Sequence, residues 1–220
     1  MNIQENLYKA TESIYRRLEK ELPQMEQSYE KDNLTTFRAQ CGKCFPQENN
    51  SGFVFYGRSN NGWNPNCPLT MDGVVDHMHR PFFNLMSRVS EHFYPENWNN
   101  YVTWSNICKV VPVSKGNPSD NLWYMQYDYM VEILQKELEI LSPKAVILVT
   151  GNTAGARWDA PLFEGNNLID YKMDECEWIE GCNATLYKKD NTIFIITDRP
   201  ERRAIEPHTN CIINLIEKYK

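Results

Sequence analysis

Three polar segments carry the groups of this chain that could do chemistry together. Gly57-Arg58-Ser59-Asn60-Asn61, with Trp63 just beyond, follows one apolar run; Asn106 and Lys109 close a second; Asp198-Arg199-Pro200, with Arg202 and Arg203, follows a third. A carboxamide such as Asn106 offers both a donor and an acceptor on one planar group. An asparagine at a strand end also bonds backbone, and both readings stand. Ser59, Asn60 and Asn61 can orient a water molecule, although a neutral amide is a poor general base. Asp198 is a carboxylate that can take a proton. Arg199 can hydrogen-bond an anion but stays charged and shuttles no proton. These two residues read equally well as an ion pair or as caps of the helix that follows. Trp63 has a face on which a base could stack, worth about 1–3 kcal/mol, with a core or lid position as the alternative. Arg58, Lys109, Lys115, Arg199, Arg202 and Arg203 together form a candidate basic groove.

The elements that must position these groups are apolar runs that end in polar or glycine-containing sequence. They are Phe53-Val-Phe-Tyr-Gly57, Tyr101-Val-Thr-Trp-Ser-Asn106, Ala145-Val-Ile-Leu-Val149 before Thr150-Gly-Asn-Thr153, and Ile193-Phe-Ile-Ile196. Such runs read as buried strands, and in an open parallel sheet ligands bind outside the strand carboxyl ends. Between them the spacing predicts helices over 4–21, ended by Pro23, over 74–93, kinked or restarted at Pro81, over 122–141, and over 203–219. Ser119, Asp120 and Asn121 are the N-cap candidates of the third helix. Residues 29–51 are polar and aperiodic, and 158–181 acidic and irregular, with Thr185-Leu-Tyr-Lys188 a candidate edge strand. The alternation predicts one three-layer α/β/α domain over 1–220, built on a four-stranded, mostly parallel sheet. Residues 1–50 form a helix and irregular extension, and 158–190 an insertion.

With 220 residues the chain is long enough for one sizeable core. Its aromatic content of 12% argues against disorder. A net charge of −6 disfavours nonspecific coating of nucleic acid, though it leaves room for a local basic groove. The sequence shows no secretory signal and no apolar run of about 20 residues that would cross a bilayer, so no membrane is expected. Seven cysteines, an odd number, fit reduced thiols and a cytoplasmic location.

At these residues the chain resembles the uracil-DNA glycosylase superfamily, in particular its iron–sulfur and single-strand-selective branches. Trp104-Ser-Asn-Ile-Cys-Lys-Val-Val-Pro112 with Gly116-Asn-Pro118 is similar to the family's Asn-x-x-Lys-x-x-Pro segment and its following Gly-Asn. Glu132 to Leu141 and Ser142-Pro-Lys-Ala-Val-Ile-Leu-Val-Thr-Gly-Asn-Thr-Ala154 resemble its helix, Pro-Lys turn, buried strand and Leu-Gly-x-x-Ala turn. The resemblance spans 53–218. It implies the same four-stranded sheet, with DNA or another nucleobase-containing ligand as partner. The family flips a nucleotide into the crevice at the strand ends and hydrolyses the N-glycosidic bond of a deaminated or damaged base. It further implies that Asn106 reads the base edge, that Gly57 and its loop occupy the first motif, and that Thr197-Asp-Arg-Pro-Glu-Arg-Arg203 occupies the last. There Arg199 stands where the family has histidine.

Cys41 and Cys44 occupy the place of the first two cluster ligands of the iron–sulfur branch. Val110, not cysteine, follows Lys109, and the helix after Leu122 has none, so no cluster and no other cofactor are expected. Cys67 could join the pair, but three scattered thiolates fall short of a zinc site's four ligands. His77 and His79 are poorly spaced as co-ligands, and His92 and His208 read as surface or packing residues. Two further functions stay open: a non-catalytic module of the same fold that binds a base, nucleotide or single strand, and an enzyme acting on a small nucleoside-like ligand.

Overall fold

The computed structural model describes residues 2–29, 33–46, 51–59, 69–113, 116–151, 157–166 and 172–219. In chain order the elements are α1 (Ile3–Tyr29), β1 (Leu34–Thr36), β2 (Gln40–Cys41), β3 (Phe53–Gly57), α2 (Met71–Val74), α3 (Pro81–Phe93), β4 (Val102–Asn106) and β5 (Val110–Pro112). There follow α4 (Asp120–Leu141), β6 (Ala145–Leu148), α5 (Ala160–Asn166), β7 (Lys172–Ile179), β8 (Cys182–Lys189), β9 (Thr192–Thr197) and α6 (Ile205–Tyr219).

The apolar runs become strands because helices cover both of their faces. In β3, Phe53 and Phe55 pack with α3 and α6, while Val54 and Tyr56 pack with α1, α4 and α5. In β6, Ala145 and Ile147 take the first face, and Val146 and Leu148 the second. Burial on both sides is what lets a parallel strand read as an unbroken apolar run. The order β4-β3-β6-β9 is parallel throughout. The parallel set starts at β3, adds β4 on one side, then β6 and β9 on the other. The direction of growth therefore reverses between β3 and β6, a topological switch point where strand-end loops diverge and leave a crevice. The fold is mixed α/β with a mostly parallel central sheet. Among the described residues no helix is long and apolar enough to cross a membrane.

The sheet is larger than the sequence reading. Antiparallel β2 extends it beyond β4, and the hairpin β7–β8 extends it beyond β9, giving seven strands. The segment expected to be irregular contains α5 and β7, and β7, not Thr185–Lys188, forms the edge. Along β7 the inward residues are Asp174, Cys176 and Trp178, of which Cys176 and Trp178 pack against the α6 layer. The acidic residues between them hid this alternation. The two-residue turns that bound β8, Glu180-Gly181 and Asp190-Asn191, were the missed signal: Gly181 and Asp190 take φ of 71° and 53°.

The helix expected to end at Pro23 continues to Tyr29. A proline inside a helix costs about 3 kcal/mol. Pro23 itself is exposed, and on either side of it Leu22 and Met25 pack into the same cluster as Leu18, Ile133 and Val110. That burial outweighs the lost hydrogen bond. Pro81 does restart a helix, at its first position, after α2 and a short 3₁₀ turn. Ser119 is the cap of α4, its hydroxyl accepting the amide of Leu122 at 3.2 Å.

Candidate functional site

All four parallel strands end on one crevice of about 550 Å³. Gly57, Arg58 and Ser59 enter it from β3, Asn106 from β4, Val149 from β6 and Arg199 from β9. The sheet's hydrogen-bond ladder runs past the strand ends and holds these loops: the amide of Ile107 donates to Gly57 O and that of Cys108 to Arg58 O, each at 2.9 Å.

Gly57 and Asn106 are opposite one another in the parallel register. A Cβ on residue 57 would lie 2.6 Å from Asn106 Oδ1, so the absence of a side chain is what lets the carboxamide lie there. Asn106 is 1% exposed, and no group among the described residues accepts a hydrogen bond from its Nδ2. A buried donor without an acceptor costs about 1–3 kcal/mol. The crevice therefore contains an amide that a ligand acceptor would stabilise.

The walls are apolar on the α3 and strand sides, with Phe82, Phe83, Trp104 and Val149. Three arginines, Arg58, Arg80 and Arg199, and one carboxylate, Glu201, are the charged residues of the lining among those described. This is a locally cationic site in an acidic chain. Arg58 is held by Thr150 O through its Nε and lies over the Trp158 ring at 5.0 Å. Burial, then the nearby Arg199, pulls its pKa down from the ordinary arginine value. Arg199 is paired with Glu201, both about two-fifths exposed. An exposed pair of this kind contributes about 0.2–1 kcal/mol, little enough for a ligand anion to displace the glutamate.

The remaining expected residues are placed differently. The Ser59 hydroxyl lies 2.9 Å from Gly116 O and 3.0 Å from Asn117 Oδ1, tying two crevice loops together. Asp198 does not line the crevice: its Oδ2 accepts the amide of Asn183 on β8 at 3.2 Å. Lys109 is not a groove residue. It is fully buried against Glu137, because the chain turns inward after Asn106 and carries it beneath the sheet end. Arg202 is exposed in a turn at φ 62°, and Arg203 reaches back to the Cys182 sulfur; neither lines the crevice. Asn60, Asn61, Trp63, Cys67 and Lys115 lie outside the described residues. Among those described, no three metal-ligating side chains converge.

Sequence reading did not place Arg80, Phe82, Phe83 or Glu201 in the crevice. The Arg80-Pro81 step was a usable signal, since proline at a helix start places the first turn. It also missed the partly buried Asp159, while His208, read as a surface or packing residue, is a buried packing residue. Asp159, which starts α5 beside Trp158, has Oδ1 without a partner among the described residues, and burial raises its pKa to about 6. His208 on α6 stacks on Trp178 at 4.1 Å, with Nε2 2.6 Å from Thr197 Oγ1. Burial and then Arg203 lower its pKa to about 4. Thr197 Oγ1 also reaches Asn183 O at 3.4 Å. The hydroxyl donates to that carbonyl when the neutral ring carries its proton on Nε2 and donates in turn.

Sequence comparison matches the chain to no protein-family model and to no curated relative.

Proposed function

We infer that the crevice takes a nucleobase and that the chain is a divergent glycosylase of the uracil-DNA glycosylase type. In this reading it removes a deaminated or damaged base from DNA by hydrolysis of the N-glycosidic bond. The observation that carries the reading is Asn106: a buried carboxamide, its Nδ2 without a protein acceptor among the described residues, in the floor of a crevice with aromatic walls. A planar ring between such walls loses its water, and the amide then supplies hydrogen bonds along its edge.

The rest of the lining suits departure of the base. The carbon–nitrogen bond breaks with its electron pair leaving on the base as an anion. Water adds its oxygen to the sugar carbon and gives up a proton to solvent, and the released base anion takes a proton from solvent. Donors aimed at developing charge in a water-poor site are the usual source of acceleration. Arg199 can provide one by exchanging Glu201 for the base, and Arg58 adds positive potential. A flipped nucleotide brings phosphates with it, which the surplus of arginine would favour.

The test is base release from single- and double-stranded oligonucleotides containing uracil or hypoxanthine. Wild type should leave abasic sites, and Asn106→Ala should lose about 100-fold or more in rate, as removal of a transition-state donor does. No release by folded protein at stoichiometric amounts overturns excision of these bases.

A second reading, binding without cleavage, is favoured by one observation. Both Asp198 and Ser59 are committed to hydrogen bonds that hold the structure together, away from the task of activating water. Salt-dependent retention of the oligonucleotide without base release would support it.

A further inference from the structure

Immediately behind the Gly57–Asn106 pair lies a buried ionic cluster that the chemistry above does not use. Tyr56 and Ser105 precede the crevice residues on adjacent strands and are partners in the same register. Their side chains alternate to the opposite face, toward α4. There both hydroxyls donate to a single atom, Glu137 Oε2, at 3.0 Å each. Lys109 Nζ donates to Glu137 Oε1 at 2.7 Å and to Ser105 Oγ at 2.9 Å. The side chains of Lys109 and Glu137 are 0% and 2% exposed. Gln126, also on α4, accepts the amides of Lys109 and Val110 at 2.9 and 2.8 Å and donates to Val110 O.

Stability alone is a poor account of this arrangement. Taking two charges out of water costs several kcal/mol per ion, and well-packed apolar residues of similar volume are often as stable or more so. What a fully satisfied ionic cluster supplies is geometry: each donor has one place to point, and strands tied to the same carboxylate oxygen cannot slide past one another. That matters here because no group among the described residues holds the Asn106 Nδ2. The reach of the amide is left to the backbone, that is, to the register of β3 against β4 and the path from Asn106 to Lys109.

We propose that Glu137 is a positioning residue for Asn106. Its two carboxylate oxygens clamp Tyr56, Ser105 and Lys109, and so fix the height of the Asn106 amide against Gly57 in the crevice. The functional consequence rests on Asn106 being the group that reads the ligand; the positional one does not.

The test separates the two. In uniformly ¹⁵N-labelled protein the side-chain amide signal of Asn106 is identified by its loss in Asn106→Ala. Glu137→Gln, nearly isosteric, should displace that signal and weaken binding of a uracil-containing single-stranded oligonucleotide about tenfold or more, since misplacement of about 1 Å costs up to about 100-fold. Leu186→Ala on β8, a truncation at a fully buried site remote from the cluster, should lower the melting temperature and leave the Asn106 signal in place. Should Glu137→Gln not fold, Lys109→Met/Glu137→Leu replaces the cluster with apolar volume. It should fold with the Asn106 signal still displaced and affinity not regained. A wild-type Asn106 signal and wild-type affinity in either cluster variant overturns the proposal. Absence of oligonucleotide binding by wild type would defeat the base-binding reading, and the Asn106 signal alone would still decide this one.

Discussion

A methyl group placed on Gly57 would sit 2.6 Å from Asn106 Oδ1 and 3.5 Å from the Phe82 ring. Ordinary contact begins at 3.4 Å, so in Gly57→Ala the carboxamide must retreat by about 0.8 Å (3.4 less 2.6) while Phe82 need not move. Gly57 is not among the residues with positive φ, so alanine meets no backbone penalty there. It also restricts the unfolded chain, which favours the native state by about 0.4–1 kcal/mol. That gain roughly offsets the cost of turning one buried amide. Stability should therefore stay within about 1 kcal/mol of wild type, a shift of about 2–4 °C in a chain of this size. Function should respond differently: an amide displaced by nearly 1 Å loses its alignment, and a loss approaching 100-fold in base release or affinity is expected. The assay pairs thermal unfolding with base release from a uracil-containing oligonucleotide, and places Gly57→Ala in both the wild-type and Asn106→Ala backgrounds. If the effect runs through Asn106, the substitution costs little once residue 106 is alanine. Full activity in the single variant refutes the reasoning, as does an equal loss in both backgrounds.

Acid stability should conceal two opposed protons. His208, at about 4 in the native state and about 6.5 when unfolded, makes stability fall as pH drops through that window, by about 3 kcal/mol. Asp159, at about 6 native and about 4 unfolded, makes stability rise over nearly the same range by a similar amount. Urea unfolding between pH 4 and 6.5 should thus be nearly flat in this respect for wild type, rise on acidification in His208→Gln and fall in Asp159→Asn. Identical profiles in all three proteins would contradict both assignments. Lys109→Met alone leaves the Glu137 carboxylate buried without its cation and should cost about 3–5 kcal/mol in urea unfolding. Pro23→Ala restores the amide missing from the middle of α1 at an exposed position and should raise stability by up to about 3 kcal/mol, read as a higher urea midpoint.

The parallel centre of the fold was legible because three of its strands are apolar on both faces and the fourth, β4, alternates Val102 and Trp104 with Thr103 and Ser105. Phe53–Gly57, Ala145–Leu148 and Thr192–Thr197 were recognisable as unbroken apolar runs, and Val102–Asn106 as a short run alternating apolar with small polar residues. Helices α4 and α6 were equally plain from their spacing. The hairpin β7–β8 was not, because Asp174, Glu175 and Glu177 mask a face that only α6 makes apolar. Pro23 shows the same limit: local chemistry says stop, and the burial of Met25 beyond it says otherwise. Those are decisions of packing, which a propensity does not contain.

For the candidate site, the sequence by itself determined which loops meet, since carboxyl ends of parallel strands lie on one side of the sheet. It thereby brought Gly57, Arg58, Ser59, Asn106 and Arg199 to one crevice. The direction of each side chain was decided by tertiary structure alone. Lys109 is three residues from Asn106 and fully buried; Asp198 is one residue from Arg199 and bonds β8. A strand end turns successive side chains to opposite faces, and which face is the crevice depends on the helices packed beneath. Charge follows the same rule, as Asp159 and His208 show: composition counts ionisable groups, while burial by elements distant in sequence sets the pH at which they hold a proton.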